Sequence, residues 1–340
     1  MDLSILSPGI VESVRVVGSQ FLTPIRHAGA WARRIAVPVA MALAIAVPAA
    51  VAQQTAFAQL PAGGQIRFSY NYRDAAGSAQ RLAFELPSAD IEAAMALFRD
   101  YAMPHLYLHI EQALRREAQR AGVTLQATQK GDGASFRILA DSAAKRDAFD
   151  ARMDGIIAGA RGEWLRKHAR RAVGSTIYVD HPEAARRYVT NLRPVAEALM
   201  AQGAAADARA LVGRALNFVQ AIPYDDLLDA RTTGGIEFAP PPAMFRLNRG
   251  DCDSKAVALA AILRTLVPGL AIAFVVLPQH VALAVDLPPG EGDAMVLRGD
   301  RPLLLLEPTG PAVVQPGRVA PTTAWYTDRP GEYALFEMKD

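Results

Sequence analysis

Apolar and polar residues alternate along residues 65–86, as they do in half-buried β-strands, on either side of a glycine-containing segment at residues 75–78. This pattern predicts a β-hairpin. Two helical stretches follow, and a second pair of strands is predicted around the Lys-Gly-Asp-Gly segment at residues 130–133. Residues 60–140 are therefore expected to form a small α+β domain, with the order β-β-α-α-β-β.

The remaining pattern separates a charged helical stretch from a second mixed region. Residues 141–174 are helical in character and rich in Arg and Lys, so a helical linker is predicted there. An apolar helix follows at residues 252–266, before four strand-like runs that are joined by short turns. Short turns between successive strands favour an antiparallel sheet. The predicted fold class is α+β, with one helix packed on that sheet in a domain spanning residues 175–340.

The N-terminal 52 residues have the pattern of a targeting segment. Residues 35–52 form one uncharged, apolar run directly after Arg33 and Arg34. A positive flank, an apolar run and small residues are the parts of a secretory signal peptide. Cleavage sites of the A-x-A type end at Ala52 and Ala58. A retained membrane anchor is the alternative, and either one predicts a periplasmic or envelope-associated protein.

Charge and cysteine content narrow the possible partners. The net charge of +2 comes from residues 1–52, because the rest of the chain carries 32 basic and 32 acidic residues. A neutral body without a basic face argues against nucleic acid as a partner. The single cysteine excludes an intrachain disulfide, and it therefore argues against a small secreted scaffold that is stabilised by disulfides.

That cysteine, Cys252, opens the apolar helix directly after Asp251, a favoured helix-capping residue. His280 and Glu307 lie on later predicted strands. A helix N-terminus and a neighbouring histidine are two ways to activate a thiol, and an acid can orient the histidine. Asp253 and Asp251 oppose this activation, since nearby negative charge raises the pKa of a thiol. A buried structural cysteine is the alternative.

Four segments carry a family resemblance: FVQAIPY at 218–224, GDCDSK at 250–255, QHVALAV at 279–285 and LEPT at 306–309. With them, residues 175–310 resemble a bacterial transglutaminase-like domain of the papain-like cysteine enzymes. The resemblance implies Cys252 as nucleophile, His280 as general base and Glu307 as the third triad residue, where the family more often has aspartate. Asp286 is a rival acid. The resemblance does not extend to residues 60–140.

Further site residues are expected around Cys252. By the same resemblance, Gln220 is a candidate oxyanion donor, whereas the alternative is a glutamine that marks a helix end. Tyr224 and Asp251 are candidates for the cleft or oxyanion site. No metal or cofactor is expected, because His105 and His109 lack a third ligand. Calcium bound by the acids at 225, 226 and 229 is the alternative, although they lack the spacing and glycine of an EF-hand calcium loop.

The sequence therefore predicts an exported thiol enzyme that acts on amide bonds of a protein or peptide through a thioester. Transfer of the acyl group to water, in a peptidase or amidase, is favoured over transfer to an amine. A catalytically silent envelope binding module is the alternative from a different class. A redox thiol is a third possibility, which would need an outside partner because the chain has no second cysteine. The oligomeric state is not encoded in any pattern of this sequence.

Overall fold

The computed structural model describes residues 11–17, 53–100, 103–130, 133–173, 176–228 and 238–339. It is a mixed α+β structure with antiparallel sheets, as the sequence predicts. The chain divides into two units, each made from two separate stretches. Of the described residues, those in 11–17 and 100–178 belong to the first unit, and those in 53–99 and 179–339 belong to the second.

The first unit is a three-stranded sheet covered by two long helices. Its sheet order is β1-β6-β5, and a two-stranded sheet pairs β7 with β8. The elements are β1 (Val11–Val17), α2 (Met103–Ala121), β5 (Thr124–Lys130), β6 (Gly133–Ala140), α3 (Ala143–Lys167), β7 (Arg170–Val173) and β8 (Thr176–Val179).

Helix α3 belongs to the core of this first unit. Phe149, Met153, Ile157 and Trp164 recur on one face of the helix and are all buried. They join α2 and the sheet in one apolar cluster, because a stripe with this spacing must be covered by other elements. The stretch predicted as a linker at residues 141–174 is therefore mostly part of a folded unit.

The second unit contains the predicted hairpin and the predicted helix-on-sheet region. Its elements are β2 (Gln54–Ala62), β3 (Gln65–Arg73), β4 (Ala79–Pro87), α1 (Ser88–Asp100), α4 (His181–Tyr188), α5 (Arg193–Met200), α6 (Ala208–Ala221), α7 (Pro241–Leu247), α8 (Cys252–Leu266), β9 (Ile272–Leu277), β10 (His280–Val285), β11 (Met295–Arg298), β12 (Arg301–Leu306), α9 (Pro321–Thr327) and β13 (Ala334–Glu337). Two antiparallel sheets have the orders β2-β3-β4 and β11-β12-β10-β9-β13.

Helix α8 occupies the interior of the second unit. All positions from Ser254 to Leu263 are buried, and α4, α5, α6, α7 and β10 pack around the helix. A helix that is apolar on nearly every face needs such complete enclosure. Its alanines allow the neighbouring elements to approach closely. The predicted helix at residues 252–266 is thus confirmed, and its first residue is Cys252.

The β3–β4 hairpin is confirmed, with Phe68 opposite Phe84. Its apolar face packs on aromatic residues of α6 and α7: the Tyr70 and Phe218 ring centroids are 5.1 Å apart, and those of Phe84 and Phe245 are 5.2 Å apart. These contacts place the hairpin in the second unit, whereas β5 and β6 lie in the first. The domain predicted at residues 60–140 is consequently divided between the two units.

Four of the described strands, β1, β2, β7 and β13, were not predicted. Strand β2 pairs with β3, including Ala56 opposite Asn71, in a stretch whose alternation is interrupted by Pro61. Strand β1 pairs with β6, with Val11 opposite Ala140, inside the stretch predicted to be a targeting segment. The apolar run at residues 35–52 lies outside the described residues. Within the described part of the chain, no helix is long and apolar enough to cross a membrane.

Replacement of Phe218 by alanine tests the aromatic packing between the hairpin and α6. Phe218 is fully buried, so Phe218→Ala should lower the free energy of unfolding by about 3–5 kcal/mol, as cavity formation in a core does. Urea unfolding of the full chain measures this. Leu60→Ala, at a site that is 63% exposed, is the control and should change stability by about 0.5 kcal/mol or less. Equal effects of the two substitutions would contradict the packing described.

Candidate functional site

The start of α8 is fixed by the carboxylate of Asp251. Its Oδ1 accepts a hydrogen bond from the backbone N–H of Ser254 at 2.8 Å, and its Oδ2 accepts one from Phe238 N at 3.2 Å. This is an N-cap contact, which satisfies one of the free N–H groups of the first turn. An ionised carboxylate only accepts hydrogen bonds. Asp251 therefore positions Cys252 at the helix end and is not suited to donate to an oxyanion.

Gly250 allows the chain to pass close to α7 just before the cysteine. A Cβ atom on Gly250 would lie 2.9 Å from Met244 Cγ, which is closer than carbon atoms pack. The backbone of Gly250 also donates to Pro223 O and accepts from Asp225 N, both at 3.2 Å. These bonds hold Tyr224 beside the start of α8. The small residue before Cys252 is thus required by packing.

The sulfur of Cys252 is directed at a carboxylate. Its distance to Asp253 Oδ2 is 3.7 Å, and it makes no hydrogen bond to His280 in the described structure. Burial raises the pKa of the Cys252 thiol well above its ordinary value. The charges of Asp253 and Asp251 raise this pKa further, and hydrogen bonding to the backbone of Val281 opposes them. In this arrangement the thiol is protonated at neutral pH.

His280 and Glu307 form a hydrogen-bonded pair. His280 Nε2 lies 2.9 Å from Glu307 Oε1 and 3.1 Å from Oε2. The antiparallel pairing of Leu283 with Leu306 carries the start of β10 and the end of β12 to the same edge of the sheet. The other ring nitrogen of His280, Nδ1, makes no hydrogen bond to any described residue. The Glu307 contact thereby orients His280 with Nδ1 able to accept a proton. The next residue of the same strand, Val281, contacts the Cys252 sulfur through its backbone.

The Glu307 carboxylate has a further partner in Thr323 of α9, whose Oγ1 donates to Glu307 Oε2 at 2.9 Å. Burial alone would raise the pKa of Glu307. The hydrogen bond and charge of His280, followed by the hydrogen bond from Thr323, hold this pKa below its ordinary value. Glu307 is therefore an ionised acceptor. Thr323 escaped the sequence analysis because a threonine in a short helix carries no signal of a distant partner.

Two buried side chains anchor the loop after β12. Gln220 Nε2 donates to the backbone oxygen of Glu307 at 2.7 Å, and Lys255 Nζ donates to Thr309 O at 2.5 Å. Gly310 has a φ of +67°, and a Cβ there would be 2.7 Å from Gln220 O. The amide of Gln220 thus holds the Glu307 loop. The predicted oxyanion role would require this nitrogen to turn toward the sulfur instead.

Tyr224 forms a β-bridge with Gly250 beside the start of α8 and is about half exposed. Burial, followed by the charges of Cys252, Asp251 and neighbouring acids, raises the pKa of Tyr224 to about 12. Its hydroxyl therefore stays protonated at neutral pH and can donate a hydrogen bond. This geometry is compatible with the predicted place of Tyr224 in the cleft.

A second histidine, His181, enters the site through Asp253. His181 Nε2 forms a close hydrogen bond with Asp253 Oδ1, and the imidazole stacks on Phe274 of β9 with ring centroids 5.3 Å apart. His181 was not among the site residues predicted from the sequence. The available signal was a histidine in the first turn of a buried helix, which indicates a polar partner but does not identify it.

Other sequence candidates lie elsewhere. Asp286 pairs with Arg301, so it does not serve His280. His105 is bonded to the backbone oxygen of Asp100, and His109 Nε2 is 3.7 Å from Glu163. Among the described residues, no group of three or more His, Cys, Asp or Glu side chains could hold a metal ion. The possible calcium ligand Asp229 lies outside the described residues.

Comparison with known proteins yields no relative. No protein-family model matches this chain, and neither a curated protein nor a solved structure matches it significantly.

Replacement of Lys255 tests the charge balance under the site. Burial lowers the pKa of Lys255 from 10.5 to about 7, against the opposing effects of Asp251 and Glu307. Between those two pH values the unfolded chain binds more protons than the folded chain, so Lys255 makes stability increase with pH. Lys255→Met should remove this contribution, and its free energy of unfolding should increase less between pH 7 and 9 than that of the unmodified protein.

The control for that comparison is Lys145→Met, which removes a lysine whose side chain is 48% exposed. It should leave the pH dependence of stability unchanged. Urea unfolding at several pH values measures both variants. If Lys255→Met and the unmodified protein have parallel pH profiles, the ammonium of Lys255 is charged through this range and the lowered pKa is contradicted.

Proposed function

We propose that this protein is a thiol-dependent enzyme that cleaves amide bonds through a Cys252 thioester. In this proposal His280 is the general base and Glu307 orients it. The observation that carries the proposal is the His280–Glu307 hydrogen bond at 2.9 Å. That bond occupies Nε2 and leaves Nδ1 without a hydrogen-bond partner among the described residues, next to the strand position that contacts the sulfur. Such an orientation is what a nucleophile–base–acid arrangement requires.

In the proposed reaction, His280 Nδ1 takes the thiol proton while the sulfur forms a bond to the carbonyl carbon of the amide. The carbonyl π electrons move to oxygen and give a tetrahedral oxyanion. Collapse of this intermediate breaks the C–N bond, and His280 returns the proton to the leaving amine. Water then attacks the thioester with His280 as base. The C–S bond breaks, the carboxylic acid leaves and the thiol is restored.

We propose two hydrogen-bond donors for the oxyanion. The backbone N–H of Cys252, at the first position of α8, donates to no described residue, as expected at a helix N-terminus. The protonated hydroxyl of Tyr224 is the second. Donors of this kind stabilise charge where it develops in the transition state. Asp251 contributes indirectly, because it caps the helix and thereby orients that N–H group.

The finer fold assignment belongs to the same proposal. Helix α8 carries Cys252 at its N-terminus and packs on β10 of an antiparallel sheet. His280 is the first residue of β10, and Glu307 directly follows β12. This order supports a papain-like core of the transglutaminase-like kind.

We infer a protein or peptide substrate and no cofactor, since the described side chains provide a nucleophile, a base and an acid. Hydrolysis is favoured over amine transfer because it needs no second binding site.

A catalytically silent binding module is the second candidate, and one observation favours it. The sulfur contacts Asp253 and not His280, and the pKa of the thiol is raised. Such a thiol is a poor nucleophile until the contact with Asp253 is broken. In that case the second unit would keep the fold of an enzyme and serve as an envelope scaffold.

A peptidyl vinyl sulfone distinguishes the two candidates, because it reacts with a cysteine that is activated by a base. The unmodified protein should label rapidly at Cys252, and His280→Ala should reduce the labelling rate by about 10²-fold or more, since a general base contributes about 10²–10⁴-fold. The labelling rate of Glu307→Gln should lie between those of the unmodified protein and His280→Ala. Mass spectrometry measures the labelling rate. His168→Ala removes another buried histidine and should label like the unmodified protein. Slow labelling that does not depend on His280 would favour the silent module.

We also propose that residues 53–340 are exported, on the basis of the apolar run at residues 35–52. Cleavage after Ala52 leaves β2 intact, whereas cleavage after Ala58 would cut the strand at the residues that pair with β3. Export is incompatible with β1 in the mature protein. Cleavage removes Val11–Val17, and a spanning segment would separate β1 from its partner β6 by a membrane.

N-terminal sequencing of the mature protein tests this proposal. After expression in a Gram-negative bacterial host, the periplasmic fraction should contain a chain that begins at Gln53. A substitution of Ala52 by a large residue such as Phe should slow the processing, because signal cleavage needs a small residue there. A cytoplasmic chain that retains residues 11–17 would contradict export and would agree with the β1–β6 pairing.

A further inference from the structure

Asp253 joins the thiol of Cys252 to a second imidazole. Its Oδ2 lies 3.7 Å from Cys252 Sγ, and its Oδ1 is hydrogen-bonded to His181 Nε2. The site therefore contains two carboxylate–imidazole pairs that differ in order. In the first pair, the imidazole of His280 lies between Glu307 and the thiol side of the site. In the second pair, the carboxylate of Asp253 lies between His181 and the Cys252 sulfur.

His181 is held rigidly by its surroundings. Its side chain is 5% exposed, and its ring stacks on Phe274 at an interplanar angle of 26°. Helix α4, which begins at His181, packs directly on α8. A buried imidazole that is fixed in this way needs a hydrogen-bond partner, because an unpaired buried polar group is costly. Asp253 is that partner, and the imidazole in turn restricts the carboxylate to one orientation.

The orientation of Asp253 determines the state of the thiol. With Oδ1 occupied by His181, Oδ2 faces Cys252 and accepts the S–H hydrogen bond. The titratable groups around the sulfur are Asp251, Asp253 and Lys255 of the first turn of α8 and its cap, His181 of α4, Tyr224, His280 of β10 and Glu307 after β12. Within this set, Asp253 is the carboxylate that contacts the sulfur itself.

We propose that His181 is a positioning residue that holds Asp253 against Cys252 and so keeps the resting thiol protonated and weakly reactive. The inference rests on the proposed function, in which Cys252 is the nucleophile. No proton is transferred to Asp253, which accepts only a hydrogen bond. The sulfur must leave this carboxylate before His280 can take its proton. The pair Asp253–His181 thus restrains the nucleophile, and His280–Glu307 activates it.

This arrangement suits a thiol in an oxidising compartment. A thiol held in its protonated form reacts slowly with oxidants and adventitious electrophiles, because the thiolate is the reactive species. A substrate that displaces the sulfur from Asp253 would release the nucleophile only in the occupied site. Asp253→Asn and His181→Phe should therefore raise the intrinsic reactivity of Cys252, unlike substitutions in the activating pair.

Alkylation by iodoacetamide tests this inference without a substrate. Because Cys252 is the only cysteine, the rate of alkylation of the full chain reports on this thiol alone. Asp253→Asn removes a like charge, which should lower the pH midpoint of alkylation by about one unit and increase the rate at pH 7 about tenfold. Its shape is nearly unchanged and the side chain is partly exposed, so the fold should be retained.

His181→Phe keeps an aromatic ring next to Phe274 and removes the hydrogen bond to Asp253. It should shift the alkylation profile in the same direction as Asp253→Asn. His181→Gln keeps a donor and should stay closer to the unmodified protein. His168→Phe is the matched control, since His168 is also buried and bonded to an aspartate, Asp100, in the first unit. It should leave the profile unchanged.

The possible outcomes separate the two proposals. An unchanged or reduced rate in both Asp253→Asn and His181→Phe would overturn the inference that this pair restrains the thiol. Failure of the proposed function is recognised differently, by vinyl sulfone labelling that does not depend on His280. If the alkylation rate increases in Asp253→Asn and is unchanged in His181→Phe, the charge of Asp253 alone accounts for the low reactivity of the thiol. That result would refute the positioning role of His181.

Discussion

The burial of α8 from Ser254 to Leu263 is the constraint on which the candidate site depends. A helix that is apolar on nearly every face can be accommodated only when other elements surround it, and here four helices and β10 do so. Both ends of the helix remain partly accessible. At the N-terminal end Asp251 is the cap and Cys252 occupies the first position. The hydrophobic core therefore fixes the place of the thiol within the second unit before any polar contact is considered.

Around this end the protein collects charge that is costly to bury. Asp251, Asp253 and Glu307 bring three carboxylates to the site, and each is tied to a donor: a helix end, His181, or His280 with Thr323. The ammonium of Lys255 lies underneath and donates to the loop after β12. Buried ionised groups persist only where they are paired in this way. The same contacts set the protonation states in the site: the resting Cys252 thiol is protonated, and Glu307 is an ionised acceptor.

Local sequence signals were sufficient for many elements, although not for β1, β2, β7 and β13, and they were insufficient for the partners of these elements. The alternation at residues 65–86 and the apolar run after Asp251 predicted a hairpin and a helix that the structure contains, because these patterns reflect which faces are buried. The division of residues 60–140 between two units depends on aromatic contacts with Phe218 and Phe245, which no local pattern reveals. His181 and Thr323 likewise became site residues only through partners distant along the chain. The burial of Lys255 also depends on distant partners, because its side chain lies beneath the capped helix and donates to Thr309 O.

Direct trapping of an acyl group on Cys252 tests the central claim. An activated peptide ester, chosen so that the acyl-enzyme forms faster than it is hydrolysed, is mixed with the protein and quenched in acid, where a thioester survives. Mass spectrometry should then find the acyl mass on the peptide that contains Cys252, and His280→Ala should accumulate far less of it. Absence of the adduct, or equal amounts with and without His280, would contradict the account.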